Sequence, residues 1–593
     1  MKKKTEEWKY PRTRIQWVWD NMEGYKGLYV LCLLGTVVYN LMQLIVPFYS
    51  ARIVDTFLSG PNAKENLTQR PDEFIRMLLL MVGLTVIRCA LVYITLVGFE
   101  YVSQQVVFRV RNYLYDKIQR QDMTFYGTYR TGDLMTRVTG DLDAVRHMVA
   151  WVIRMVIEAF ALVACTSVYF IIMDWQLALS LLIIAPIIFL VVYVFKLLVA
   201  PMHKMLREKL AGLNTIAQEN ISGNRVVKAF AREDYEIYKF DTANKDFRDT
   251  NKKTARVWLF FFPIVDTLAN SLNVILLLVG GLFLIQGKLT MGQFVAFSGL
   301  VWAIANPMRE LGNVMNEFQR FSAAAAKIME IYYSEPGIKD AEDAIDKPER
   351  FEGDIEFKDV SFQYADADLP VLEHITFTAK KGQTIAIMGE TGCGKTSLIN
   401  LIPRFYEATG GEILIDGVNV NKLKLKQLRK NIGLATQDVL LYSDTIDGNI
   451  AYGDSKITRE EVARMAKYSA ASDFINKMPD GYDTVVGERG VGLSGGQKQR
   501  ISLARALAVK PSILILDDTT SAVDLETEKE IQESLRNLDF ECTKIIIAQR
   551  ISTTKDADKI LIMQHGEITE SGTHEELIKK GGYYADLVKL QVG

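Results

Sequence analysis

Six stretches of the chain, at 29–48, 74–96, 148–173, 177–198, 258–285 and 292–314, are apolar and long enough to cross a hydrocarbon core about 30 Å thick as helices of roughly 20 residues. One such stretch can be the core helix of a water-soluble protein, but six in series make a membrane domain. Lys and Arg crowd the N-terminus and the segments 101–146 and 201–256, whereas the loops near 59–71, 174–176 and 287–291 hold only three between them. By the positive-inside rule both termini and both long loops are expected on the cytoplasmic side. The opening segment, MKKKTEEWKYPRTRIQWVWDN, mixes charges with aromatics and has no uninterrupted apolar core, so it is not a secretory signal. It reads as an interfacial helix over 1–26, with Trp17 and Trp19 at the membrane surface and the lysines facing anionic lipid.

The two long loops extend the spans of the membrane domain, 27–333. From Pro71, suited to the first turn of a helix, to Asp122 there is no further proline, so a continuous helix there reaches about 75 Å. That exceeds the membrane by roughly 40 Å. The second loop behaves likewise between Pro201 and Pro263, broken around Gly223. Two helical arms projecting into the cytosol are expected, each ending in a short turn of helix, near 124–129 and near 229–235. Within the spans, Arg88 and Glu158 each lie about 20 Å from the outer end, deep enough that an ionisable group marks function. They are expected to neutralise each other between the second and third spans, or to meet a polar group of a substrate. Arg154 and Asp266 lie nearer the inner boundary, where a charged head can snorkel to water.

The formal net charge of −2 speaks against a nucleic-acid partner, whose phosphates call for a basic surplus. The five cysteines, Cys32, Cys89, Cys165, Cys393 and Cys542, lack the paired spacing of a disulfide framework or a zinc site. Between 334 and 353 the composition becomes charged and punctuated by Pro and Gly, as in a linker. Alternating runs such as DIEFKDVSF, followed by helix-like segments and the apolar run ILIL at 513–516, indicate an α/β domain over 354–593 with buried parallel strands.

The strand TIAIM runs directly into Gly389, Glu390, Thr391, Gly392, Cys393, Gly394, Lys395 and Thr396, and a helical pattern opens at Ser397. This is a phosphate-binding loop between the strand and helix it requires. Its glycines let successive amides face the phosphates, with the helix N-terminus adding positive field. Lys395 is placed to reach the β/γ oxygens and the Thr396 hydroxyl to ligate magnesium. The fold class is therefore an all-α membrane domain of six transmembrane helices with long cytoplasmic helical extensions, fused to an α/β P-loop nucleotide-binding domain.

LSGGQKQR at 493–500, followed by ILILDDTTSAVD at 513–524, resembles the signature and Walker B motifs of ATP-binding-cassette proteins, in the family's order. The resemblance extends over essentially the whole chain, which is similar to a half-transporter of the multidrug and lipid exporter type. It implies ATP and Mg2+ as cofactors, membrane lipid as surroundings and an amphipathic small molecule (drug, lipid or peptide) as cargo. It further implies that Tyr364 stacks on adenine, that Gln437 touches magnesium and water, and that Asp517 holds magnesium through water. Ser494, Gly495, Gly496 and Gln497 then grip the γ-phosphate bound to an opposite subunit. Asp524 resembles the acidic residue that communicates between two such sites, and Gly487, Glu488 and Arg489 stand where a loop meets a membrane arm.

Two positions depart from that pattern. The glutamate expected after the magnesium aspartate is Asp518, whose carboxylate is one methylene shorter and so held about 1.5 Å back from a water it must activate. The histidine of the switch loop is Gln549, which donates a hydrogen bond but cannot take up and pass on a proton at neutral pH. Together they predict slow hydrolysis of ATP held by this chain's own phosphate loop. With LSGGQ intact, a heterodimer is expected, in which a second half-transporter bearing glutamate and histidine hydrolyses ATP against this chain's signature. The alternatives are a homodimer with a sluggish aspartate base and an ATP-gated channel or regulator. The absence of a transit segment points to a bacterial plasma membrane.

Overall fold

The computed structural model describes residues 12–60, 62–346, 350–487 and 490–592. The chain divides into two units, one of Met1–Gln119 with Thr131–Ser334, the other of Arg120–Arg130 with Glu335–Gly593.

The first unit is helical. Five runs among the described residues, Lys26–Leu58, Pro71–Gln119, Thr131–Met173, Trp175–Ser222 and Glu233–Ile285, are long and apolar enough to span a membrane. The sixth stretch folds as the helices Met291–Leu300 and Trp302–Tyr332. Pro71 opens a single helix to Gln119, with Asp72 and Glu73 in its first turn where the helix dipole favours acids. Glycine lets this helix approach its neighbour Lys26–Gln43 closely: a Cβ on Gly98 would lie 2.4 Å from the Cys32 Sγ. Apolar side chains point outward, as a lipid solvent demands, with Phe160 77% exposed and Leu79, Val82, Val86 and Ile94 also open. Inside, Phe170 and Phe297 pack with ring centroids 4.4 Å apart among Leu177, Leu181 and Leu300.

Several expectations change here. Glu158 does not pair with Arg88; it takes a 2.6 Å bond from Arg154, one turn earlier on the same helix. An i,i+4 partner is always within reach on a helix, whereas a partner on another span must match in depth and facing. Arg154 therefore does not snorkel but is 9% exposed, its guanidinium over the Trp151 ring and 3.5 Å from the Tyr39 hydroxyl. Arg88 is half-buried, with an Nε that has no hydrogen-bond partner. The second short arm helix is Asn224–Ala229 rather than 229–235, because the helix Ile184–Ser222 stops at Gly223 and restarts at once. Ala231, at a left-handed φ of 50°, then separates it from the helix beginning at Glu233. The N-terminal helix is Arg14–Asn21, closed by a capping box between Thr13 and Gln16. Its Trp17 is 1% exposed against the Tyr332 ring, not at a lipid surface, while Trp19 is open beneath the Lys26 ammonium. The lysines at 2–4 lie outside the described residues.

The second unit holds two sheets. Strands β1 (Ile355–Phe362), β2 (Leu372–Ala379), β4 (Gly410–Ile415) and β5 (Val418–Asn419) form an antiparallel sheet in the order β2-β1-β4-β5. Strands β3 (Thr384–Gly389), β6 (Ile432–Ala435), β7 (Ile513–Asp517), β8 (Thr543–Ile547), β9 (Lys559–Gln564) and β10 (Glu567–Gly572) form the other, ordered β10-β9-β3-β8-β7-β6. It is parallel except at β10, and its parallel strands are apolar runs because both faces are covered. The strands β3 and β7, on either side of β8, end at Gly389 and Asp517 on the same carboxyl edge, where such sheets bind ligands.

The segment expected as a linker lies along this unit: Asp340 accepts from the Leu425 amide at 2.7 Å, and Asp346 pairs with Lys424 at 2.7 Å. Asp122 caps the short helix Met123–Thr128 through the Phe125 amide, and its second oxygen accepts from the Gly337 amide at 2.5 Å. That bond helps to place the tip of the first arm, 120–130, in the second unit.

Candidate functional site

At the end of β3 the chain enters a loop that only glycine can follow. Gly392 and Gly394 adopt φ of 89° and 99°, and a Cβ on Gly394 would sit 2.8 Å from Leu372 Cδ2 and 3.0 Å from the Val371 carbonyl oxygen. The loop delivers Lys395 and Thr396 to the start of the helix Lys395–Leu401, whose Leu398 and Leu401 anchor it in the core. The Lys395 ammonium folds over the loop, donating to the carbonyls of Gly389 at 2.9 Å and Glu390 at 2.7 Å, the posture of a cation positioned above a phosphate cradle. Glu390, Thr391 and Gly392 are exposed along the loop, and Cys393 is buried with its sulfur 3.7 Å from the Lys395 nitrogen. Ser397 is buried and shares a 2.9 Å hydrogen bond with the Tyr364 hydroxyl. Tyr364 also meets Phe362 and Tyr406 edge-on, so its ring stands beside the loop just beyond β1.

Across the sheet edge, Asp517 is 5% exposed and accepts from the Thr396 hydroxyl at 3.1 Å. Burial pushes its carboxyl above the usual range, with the Thr396 bond and Lys395 opposing. A hydroxyl and a carboxylate this close are hard oxygen donors of the kind magnesium takes, so the residues present fit that ion. Asp518 stands next in the chain at a left-handed φ of 49°, its amide bonded to the Ile547 carbonyl of β8. Burial raises its carboxyl too, against the pull of Arg550 and Lys395. The Gln549 side-chain amide donates to the Asp518 carboxylate at 3.3 Å, so the two departures from the family pattern stand face to face. Gln437 is exposed in the loop after β6.

The helix Gly495–Ala508 begins with a capping box: Ser494 accepts from the Gln497 amide at 3.3 Å, and Gln497 accepts from the Ser494 amide at 2.8 Å. This leaves Gly495 and Gly496 bare at the helix start. Asp524 caps the helix Leu525–Arg536 through the amide and hydroxyl of Thr527, bonds that hold its carboxyl below the usual range. Gly487 lies in the loop before the signature, while Glu488 and Arg489 lie outside the described residues.

Two further residues at the site have no role in the sequence pattern. Gln499, inside the LSGGQKQR run, is buried and bonded to the turn after Asp518. Glu528, 1% exposed, takes a 2.8 Å bond from Arg550, the neighbour of Gln549. A charged residue on the inner face of a helix is the sequence signal for the second; the first gives none.

A helical membrane domain on one chain with a phosphate-loop α/β domain defines an ATP-hydrolysing membrane transporter. The description "ABC transporter transmembrane region" matches residues 29–308 and "ABC transporter" matches 372–521. The chain belongs to the ABC transporter family. It is 41% identical over 485 residues, 82% of its length and 83% of the relative's, to the uncharacterised ABC transporter ATP-binding protein YknU of Bacillus subtilis. It is 35% identical over 537 residues to the ATP-dependent lipid A-core flippase of Syntrophus aciditrophicus, covering 90% of this chain and 89% of that one. A solved bacterial Atm1-family ABC exporter with ATP bound superposes with a TM-score of 0.81 at 26% identity, covering 96% of this chain and 99% of the other.

Proposed function

We propose that this chain is the weakly hydrolysing half of a heterodimeric bacterial exporter that moves amphipathic drugs, lipids or peptides by alternating access. The observation that carries the reading is the Asp518–Gln549 pair. At the place where a glutamate base and a histidine switch serve hydrolysis, a shorter carboxylate is bonded to an amide with no titratable proton. ATP on Lys395 is therefore held more readily than cleaved, while Ser494, Gly495, Gly496 and Gln497 complete the site on a mate bearing glutamate and histidine. Thr396, Gln437 and, through water, Asp517 would hold the magnesium ion, which would offset charge on the phosphates. Tyr364 stacks on the adenine, and Asp524 with Glu488 relays between the sites.

Two ATP molecules draw the nucleotide domains together, and the arms carry that closure to the spans. The exposed apolar tip of the second arm, Val226, Phe230, Tyr235 and Tyr238, supports docking on the mate. The resemblance to a lipid A-core flippase supports a lipid-like cargo, and the paired Arg154 and Glu158, with Arg88, supply polar points for its head group. Basic inner loops support cytoplasmic termini in a plasma membrane.

The test is affinity purification of this chain from its host, followed by transport in vesicles. A co-purifying half-transporter with glutamate and histidine, and ATP-driven uptake that needs both chains, are expected. If the purified single chain hydrolyses ATP many-fold faster once Asp518→Glu and Gln549→His are introduced, the homodimer is the correct reading instead.

A further inference from the structure

We infer that Gln499 is a positioning residue that locks the signature helix to the turn after Asp518, so that the two composite ATP sites to which this chain contributes are set by one rigid element. The inference rests on the composite-site reading above and adds the side chain that connects its two halves.

Gln499 lies on the buried side of the helix Gly495–Ala508 and is 6% exposed. Its amide nitrogen donates to the Ser521 hydroxyl at 3.1 Å and to the Asp518 carbonyl at 3.4 Å, and its oxygen accepts from the Ala522 amide at 3.1 Å. The Ser521 hydroxyl in turn donates to the same Asp518 carbonyl at 3.0 Å. One side chain thus uses donors and acceptor on both ends of the turn 518–522. A buried amide bonded at both its nitrogen and its oxygen fixes the orientation of its partners, and losing it frees the turn, whose Ser521 and Ala522 are exposed, from the buried face of the helix.

Close packing reinforces the bond. A Cβ on Gly496 would stand 2.8 Å from the Ala522 carbonyl oxygen, so the glycine lets the helix start rest directly on the same turn. Gln499 follows Ser494 by five residues, a rise of about 7.5 Å along the same helix. The carbonyl it holds belongs to Asp518, whose side chain faces Gln549. Moving the signature helix therefore moves the backbone that aims Asp518, and the reverse.

The test uses the complete transporter in lipid nanodiscs. Gln499→Met keeps the volume and removes every hydrogen bond; Ser521→Ala removes one partner from the other side and protects against a misfolded first variant. Two quantities are read: the kcat and KM of ATP hydrolysis, and the azido-ATP concentration that half-labels this chain. The inference expects Gln499→Met to lower kcat roughly tenfold with KM within about twofold, and to shift half-labelling several-fold, with the melting temperature lowered by only a few degrees. Ser521→Ala should move both quantities in the same directions by less. If either variant alters one quantity and not the other, or neither, the link is refuted. Lys395→Ala separates the inference from the reading beneath it: half-labelling of this chain at an unchanged azido-ATP concentration after this substitution refutes the assigned ATP site itself.

Discussion

The two units of this molecule solve opposite solvent problems with the same backbone. In the nucleotide-binding unit the apolar runs of β3, β7 and β8 are buried and the chemistry stands on the turns at their ends, where glycine conformation and single hydrogen bonds place it. In the membrane unit apolar residues such as Leu79, Val86 and Phe160 face outward, and the polar groups Arg154 and Tyr39 are drawn inward. A misplaced polar group in the first costs a bond to water; in the second there is no water to replace it. The membrane unit should therefore be the more sensitive to charge and the nucleotide unit to local geometry.

The largest effect tests that contrast on the membrane side. Arg154→Leu strands the Glu158 carboxylate and is expected to cost about 3 kcal/mol in unfolding experiments in a membrane mimetic, with Arg154→Leu/Glu158→Leu recovering most of it. If the single and double variants are equally destabilised, the pair is not what holds the charge there. On the nucleotide side, Lys395→Ala removes a charge-assisted contact worth about 1.5–3 kcal/mol, so half-labelling by azido-ATP should need at least about tenfold more nucleotide. Gly98→Ala forces a methyl group onto the Cys32 sulfur and should cost about 1–3 kcal/mol, with relief in the background of Cys32→Ala. Ser494→Ala deletes the capping box at a helix end and should cost only about 1 kcal/mol, seen as a shift of a few degrees in the unfolding of the nucleotide unit.

Much of this architecture is legible in the amino-acid sequence, for reasons that differ between the units. Spans and the phosphate loop are local: a run of apolar residues or of glycines ahead of Lys395 carries its meaning in consecutive positions. The 49-residue helix Pro71–Gln119 is readable because proline marks its start and none interrupts it. Pairing across elements is not readable in the same way. Depth along a span suggests Arg88 for Glu158, but depth leaves open which way a side chain faces, and a same-helix neighbour one turn away takes the carboxylate. Trp17 has the composition of an interfacial residue, yet its ring is buried against Tyr332 from the far end of the unit. The second arm's short helix lies about one and a half turns earlier than its sequence suggests because Gly223 both ends one helix and admits the next. Gln499 gives no sign of its role inside the signature motif because its partners, Ser521 and Ala522, become neighbours only when β7 is in place.

The claim that this chain retains ATP while its mate hydrolyses it has one direct test. The reconstituted transporter is photolabelled with azido-ATP carrying radiolabel at the γ-phosphate, after several turnovers in transport conditions, and the label on this chain is compared with that from an α-labelled nucleotide. Equal γ- and α-label on this chain, with γ-label missing from the mate, is the predicted result; γ-label lost from this chain as completely as from the mate would contradict it.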